Sequence, residues 1–162
     1  MNPPLAFHGE ATAIVAASPP EVFAFLDDHQ RLSAHMGKPS LMMAGATMKI
    51  ETDSQRGQAV GSRIRMFGRL LGISLSVDES VIDYEPPFHK SWQTCGEPRL
   101  WVIGQYRMGF ELSPKADKTR LRVWIDYHHP LGLAGRWLGE ILGKVYARWC
   151  VTRMATDSAS AF

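Results

Sequence analysis

The closing segment constrains the fold of this chain more than any other feature. From about Leu133 to Asp157, after Pro130-Leu131-Gly132, the pattern predicts one long amphipathic helix with Arg136, Glu140, Lys144 and Arg148 along its wet face. At 3.6 residues per turn, Leu138, Leu142, Val145, Tyr146 and Trp149 gather on the opposite side, with Trp137 and Ile141 at its border. That side must cover another apolar surface. Gly135, Gly139, Gly143 and Ala147 recur beside it at every fourth position, although a glycine in a helix interior costs about 1 kcal/mol relative to alanine. Two explanations fit: close packing of helix on sheet, or side chains left out to make room for a bound molecule.

The rest of the chain supplies the surface to be covered. Between Met42 and Leu112 no helical period is visible; β-compatible segments are separated by clusters of Gly, Pro, Asp and Ser, as in antiparallel meanders. Strands are expected near Ala44–Thr52, Gly61–Leu70, Ile73–Tyr84, His89–Thr94, Leu100–Leu112 and Thr119–His129, with a first strand over Phe7–Ala17. Leu71-Gly72 is short enough for a tight hairpin, and Glu85-Pro86-Pro87 blocks continuation. Ser18-Pro19-Pro20-Glu21 has the form of a capped helix start, followed by Val22, Phe23 and Leu26 on one face. Asp27-Asp28-His29 breaks that pattern before a second short helix, about Gln30 to Met36, stopped by Gly37. The class is α+β: a seven-stranded antiparallel sheet, two short helices after strand one, and a long C-terminal helix.

Length and charge narrow the range of functions. The 162 residues suit a single domain over 1–162 that needs neither disulfide nor metal for stability. Cys95 and Cys150 lack metal-ligand spacing and read as buried thiols of a reducing compartment. A net charge of +2, with scattered Lys and Arg, argues against nucleic acid. The first residues do not resemble a secretory signal, so a cytoplasmic location is expected. Leu131 to Val151 carries too many charges to be a transmembrane segment. His128 and His129, neighbours in a strand, point to opposite faces and cannot share one ion; His8, His29, His35 and His89 suit surface or capping roles. No nucleophile elbow, phosphate loop or dinucleotide fingerprint is present, so no metal and no cofactor is expected.

The initial strand, the Ser18-Pro19-Pro20-Glu21-Val22-Phe23 helix start, the run from Glu79 to Pro87, and the segments from Phe110 and Thr119 occur in order before the long helix. In this arrangement, which spans nearly the whole chain, the sequence resembles the SRPBCC superfamily of START/Bet v 1-like proteins. That superfamily includes polyketide cyclase/dehydrase and lipid-transport proteins and coenzyme Q-binding proteins. The resemblance implies a helix-grip fold, a curved sheet wrapped around the terminal helix with a ligand cavity between them. It also implies a role in binding lipids, sterols, polyketides or quinones, or in cyclisation and hydrolysis.

Strand parity nominates the residues facing that cavity, because positions two apart share a face. Val102, Tyr106, Met108, Phe110 and Leu112 share one parity, as do Leu121, Val123, Ile125 and Tyr127. Ile64 and Met66 face in from the third strand, and Ile73, Leu75 and Val77 set the parity of the fourth. Glu79 continues it. If the register persists, its carboxylate enters an apolar space and needs a partner; a bulge would instead turn it outward. Glu79, Tyr106 and Tyr127 are therefore the candidate polar groups, with Trp92, Trp137, Ile141 and Tyr146 completing an apolar wall that core packing alone also explains. The leading expectation is a carrier or sensor of a small hydrophobic molecule, acting as a monomer or homodimer. One alternative is a cyclase or dehydrase in which Glu79 or His128 moves protons while Tyr106 or Tyr127 polarises a carbonyl. A second is a non-catalytic modulator that docks a partner through Trp124 or Trp101.

Overall fold

A computed structural model describes residues 5–38 and 47–162. Seven strands, β1 (Phe7–Val15), β2 (Thr47–Thr52), β3 (Arg63–Leu70), β4 (Ile73–Glu85), β5 (His89–Thr94), β6 (Tyr106–Lys115) and β7 (Lys118–Tyr127), form one curved antiparallel sheet. Its order is β1-β7-β6-β5-β4-β3-β2, so only the pairing of β1 with β7 joins strands distant in sequence. Tyr106, Met108, Phe110 and Leu112 of β6 are buried, as are Leu121, Val123, Ile125 and Tyr127 of β7, while Arg107, Glu111 and Arg120 face out. Leu71 and Gly72, both at positive φ (50° and 79°), make the two-residue turn between β3 and β4 whose twist matches the strands.

Two short helices cross from β1 toward β2. At α1 (Pro19–Asp27), the Glu21 carboxylate accepts from the Ser18 amide at 2.9 Å and from its hydroxyl at 2.6 Å. Asp28 caps α2 (His29–Leu32) by accepting from the amides of Gln30 and Arg31. The single helix expected over Gln30–Met36 is instead α2 followed by a 3-10 turn, Ala34–Gly37, because Ser33 at φ −102° and ψ 18° leaves the helical path.

Several strand boundaries differ from expectation: β1 ends at Val15 rather than Ala17, β3 begins at Arg63 rather than Gly61, β6 runs on to Lys115 and β7 ends at Tyr127 rather than His129. Positions 44–46 of the strand expected over Ala44–Thr52 lie outside the described residues. The strand expected over Leu100–Leu112 begins only at Tyr106. Before it, the Gly104 amide donates to the His128 carbonyl at 2.8 Å, and a Cβ on Gly104 would lie 2.6 Å from the His129 carbonyl oxygen. The chain turns in under the sheet there, burying Ile103 and half-burying Val102.

The terminal helix is continuous over 28 residues but not uniformly wound: α3 (Leu133–Leu138), a π turn (Gly139–Gly143) and α4 (Lys144–Ser160). A repeat of four outruns the 3.6-residue turn, and the wider π turn takes up part of the drift. The projected apolar side is therefore corrected. Trp137, Ile141, Leu142 and Val145 face outward, whereas Gly139, Gly143, Tyr146, Ala147, Cys150 and Met154 face the sheet. The glycines mark close packing: a Cβ at Gly139 would lie 2.9 Å from the His129 ring, and one at Gly143 would lie 2.9 Å from the Val102 carbonyl oxygen. No space for a ligand is left by their missing side chains.

Candidate functional site

Glu79 sits on β4 opposite Ile64 of β3 and Thr94 of β5. The sheet does slip on this strand, but between Val81 and Asp83, beyond Glu79, so the carboxyl keeps the inward parity and is only 1% exposed. The Tyr106 hydroxyl, from β6, donates to Glu79 Oε1. His29 Nε2, from the start of α2, lies 3.3 Å from Glu79 Oε2. Three polar side chains from three separate elements thus meet in a largely apolar interior. Burial first, then the Glu79 charge and hydrogen bond, push the Tyr106 phenol well above its ordinary value.

His29 owes its position to a second buried polar group. Lys90 of β5, fully enclosed, donates its Nζ to Asp27 Oδ1 at 2.8 Å, and the Tyr84 hydroxyl donates to Asp27 Oδ2 at 2.7 Å. This pins the junction of α1 and α2 to the sheet two residues before His29, whose ring meets Trp92 edge-on at 4.9 Å. Burial lowers the Lys90 ammonium more than Asp27 raises it, and burial followed by the Asp27 bond pushes Tyr84 up to about 12.

Around Glu79 the space is lined by Met36, Met66, Met108 and Met154, by Val77, Trp92, Leu100, Ile103 and Ile125, and by Ser33, Tyr146 and Cys150. Burial pushes the Cys150 thiol up to about 12, opposed by its bond with Tyr146. The void expected here is reduced to about 20 Å³, with methionine side chains from four elements among the residues that line it. That is room for roughly one water molecule. A groove of about 370 Å³ between the 3-10 turn and β2 has Ser33 in its lining, and Ser33 also lines the interior space.

The sequence-predicted residues divide into three groups. Met66, Val77, Glu79, Trp92, Tyr106, Met108, Ile125 and Tyr146 come together at the interior space. Ile64, Phe110, Val123 and Tyr127 are buried in the core but do not line it. Trp137 and Ile141 stand outside. His128 lies apart from Glu79, in an open groove of about 620 Å³ shared with Glu97, Gln105, His129 and Arg136. Nor are Trp124 and Trp101 exposed docking groups: both are partly buried, and the Trp124 ring packs so close to Gly109 that a Cβ there would lie 2.7 Å from it. The residues overlooked are Ser33, Met36, Leu100, Ile103, Cys150, Met154 and above all His29, which is buried rather than at the surface, as is His35. Cys150 and Met154 follow Tyr146 at intervals of four and were legible in principle. Nothing local marks His29. Among the described residues no three His, Cys, Asp or Glu side chains converge to hold a metal.

The sequence profile of the family described as polyketide cyclase / dehydrase and lipid transport matches residues 6–159. The chain belongs to this family. No protein of curated function matches the sequence. Solved structures with the same fold include a norcoclaurine synthase point mutant from Thalictrum flavum in complex with a transition-state analogue. It has a TM-score of 0.67 and 15% identity over 99% of this chain and 96% of that one. A solution structure of a protein from Arthrobacter aurescens has a TM-score of 0.64 and 14% identity over 94% and 86%. Ara h 8.0201, a Bet v 1-like protein, has a TM-score of 0.60 and 10% identity over 95% and 98%. The family's fold is a ligand-binding one.

Proposed function

We propose that this protein binds a small, largely apolar molecule carrying one hydrogen-bonding group, with that group held at Glu79, His29 and Tyr106. The observation that carries the reading is the burial of a carboxyl between an imidazole and a phenol inside a methionine-lined interior. Burying such a group costs free energy that an apolar side chain would not, and such placements concentrate at functional sites. Methionine side chains are unbranched and adaptable, so an incoming molecule can displace them from the space they fill. The groove beside Ser33 is the natural route inward. Native mass spectrometry of protein freshly purified from lipid-rich and quinone-rich hosts should reveal a retained molecule, and Met108→Trp, which fills the space, should abolish its retention. Repeated absence of any bound mass, or retention unchanged by Met108→Trp, overturns the reading.

The same observation favours an acid/base enzyme as a second reading. A carboxyl in contact with both His29 and Tyr106 can pass a proton between a substrate and the imidazole while the phenol polarises a carbonyl. Glu79→Gln would then abolish turnover of a carbonyl substrate while leaving its binding largely intact. Unchanged turnover removes Glu79 from that role.

A further inference from the structure

The outward face of the terminal helix has no partner among the described residues. Leu133 is 88% exposed, Trp137 63%, Ile141 52% and Val145 55%, and these four recur at intervals of four. In a regular helix such a row would wind around the axis; the π turn at Gly139–Gly143 holds it on one side for about 18 Å. Leu131 and Leu142, also exposed, widen it. Beside the row run Arg136, Glu140, Lys144 and Arg148, all exposed, three cations against one carboxylate.

We infer that this ridge docks on the surface of an anionic lipid bilayer, with the helix lying in the plane of the headgroups. An apolar strip containing leucine, isoleucine and tryptophan, edged by basic side chains, suits the boundary between headgroups and acyl chains. Tryptophan favours that boundary, and the basic row complements anionic headgroups. A second copy of the chain is the poorer occupant, because it would bring one net positive row against another. The helix lies on the bilayer rather than through it, since no helix among the described residues is long and apolar enough to cross. This docking is independent of what the interior binds.

Co-sedimentation of the full chain with sucrose-loaded vesicles tests the inference, comparing pure phosphatidylcholine with phosphatidylcholine containing a minority of phosphatidylglycerol. Binding should require the anionic lipid, fall as salt is raised, and shift tryptophan emission to the blue, a shift lost in Trp137→Phe. Lys144→Glu should weaken it by about fivefold or more and Glu140→Lys should strengthen it by a similar factor, since each charge near the surface counts for about that much. Trp137→Ser combined with Ile141→Ser should weaken it at least about tenfold. Both residues are exposed, so an unaltered thermal melt shows that the fold survives. Arg107→Glu, on the outer face of the sheet, should change binding little. No sedimentation with either vesicle, equal sedimentation with both, or a concentration-dependent dimer abolished by Trp137→Ser each overturns the inference.

Discussion

Lys90 and Asp27 form an ion pair 2.8 Å long with the ammonium wholly enclosed, and the pair stands between the sheet and the helix junction that delivers His29 to Glu79. Removing one partner leaves the other charge buried without compensation. Lys90→Met should therefore cost about 3–5 kcal/mol in urea denaturation, while Asp27→Leu combined with Lys90→Met should recover most of that loss. A single-mutant loss below about 1 kcal/mol would mean that the remaining carboxylate finds water.

The two inward tyrosines should behave differently. Tyr106→Phe strips Glu79 Oε1 of its donor and should cost about 1–3 kcal/mol of stability, the range for a buried polar group left unsatisfied. Tyr127→Phe, opposite Tyr106 on β7 but away from the Glu79 space, should cost less than about 1 kcal/mol. Equal losses would remove the distinction between site and core drawn for this pair.

His35 gives the stability a definite pH dependence. Burial, reinforced by the charge of Arg153 and opposed by a bond to the Leu32 backbone, pushes its imidazole down to about 4. The unfolded chain, with an imidazole near 6.5, binds more protons between those two values. Stability is then fully present above about pH 6.5 and is lost as pH falls toward about 4, by about 3 kcal/mol. Replacing His35 with Phe should flatten this part of the stability profile, and identical profiles for both proteins would refute the assignment.

Gly143→Ala sets helix propensity against packing. Propensity favours alanine by about 1 kcal/mol, but the new methyl would meet the Val102 carbonyl oxygen at 2.9 Å, a backbone atom with little freedom to move. Net destabilisation of about 1–2 kcal/mol is expected in thermal or urea unfolding. A stabilised variant would show that residues 100–105 yield easily.

What the sequence made legible was whatever depends on alternation between two faces. The inward parity from Tyr106 to Leu112 and from Leu121 to Tyr127 follows from the pleat alone, and Glu79 stood out as a charge on the wrong parity. The bulge that would have turned Glu79 outward exists, but between Val81 and Asp83, an offset that no local pattern encodes. The rotation of the terminal helix escapes a projection with one constant winding: Leu142 and Val145, expected on the apolar side, and Trp137 and Ile141, expected at its border, all face out. His29 was invisible because its role depends on Lys90 holding Asp27, a contact across 63 positions. The volume of the interior depends on the rotamers of the side chains that line it, four methionines among them, which composition does not determine.

The π turn also makes the terminal helix sensitive to winding at one place. Rewinding Gly139–Gly143 as ordinary i→i+4 helix with every residue kept would swing Leu133–Leu138 by about 100° relative to Lys144–Ser160, because the wider turn holds one residue more than the regular ladder accommodates. Trp137 would be carried off the outer side while Tyr146 and Met154 stayed in place. The bearing of the protein's outer crest is thus recorded in one surplus peptide unit, whose deletion would restore the regular ladder and leave the two segments facing as they do now.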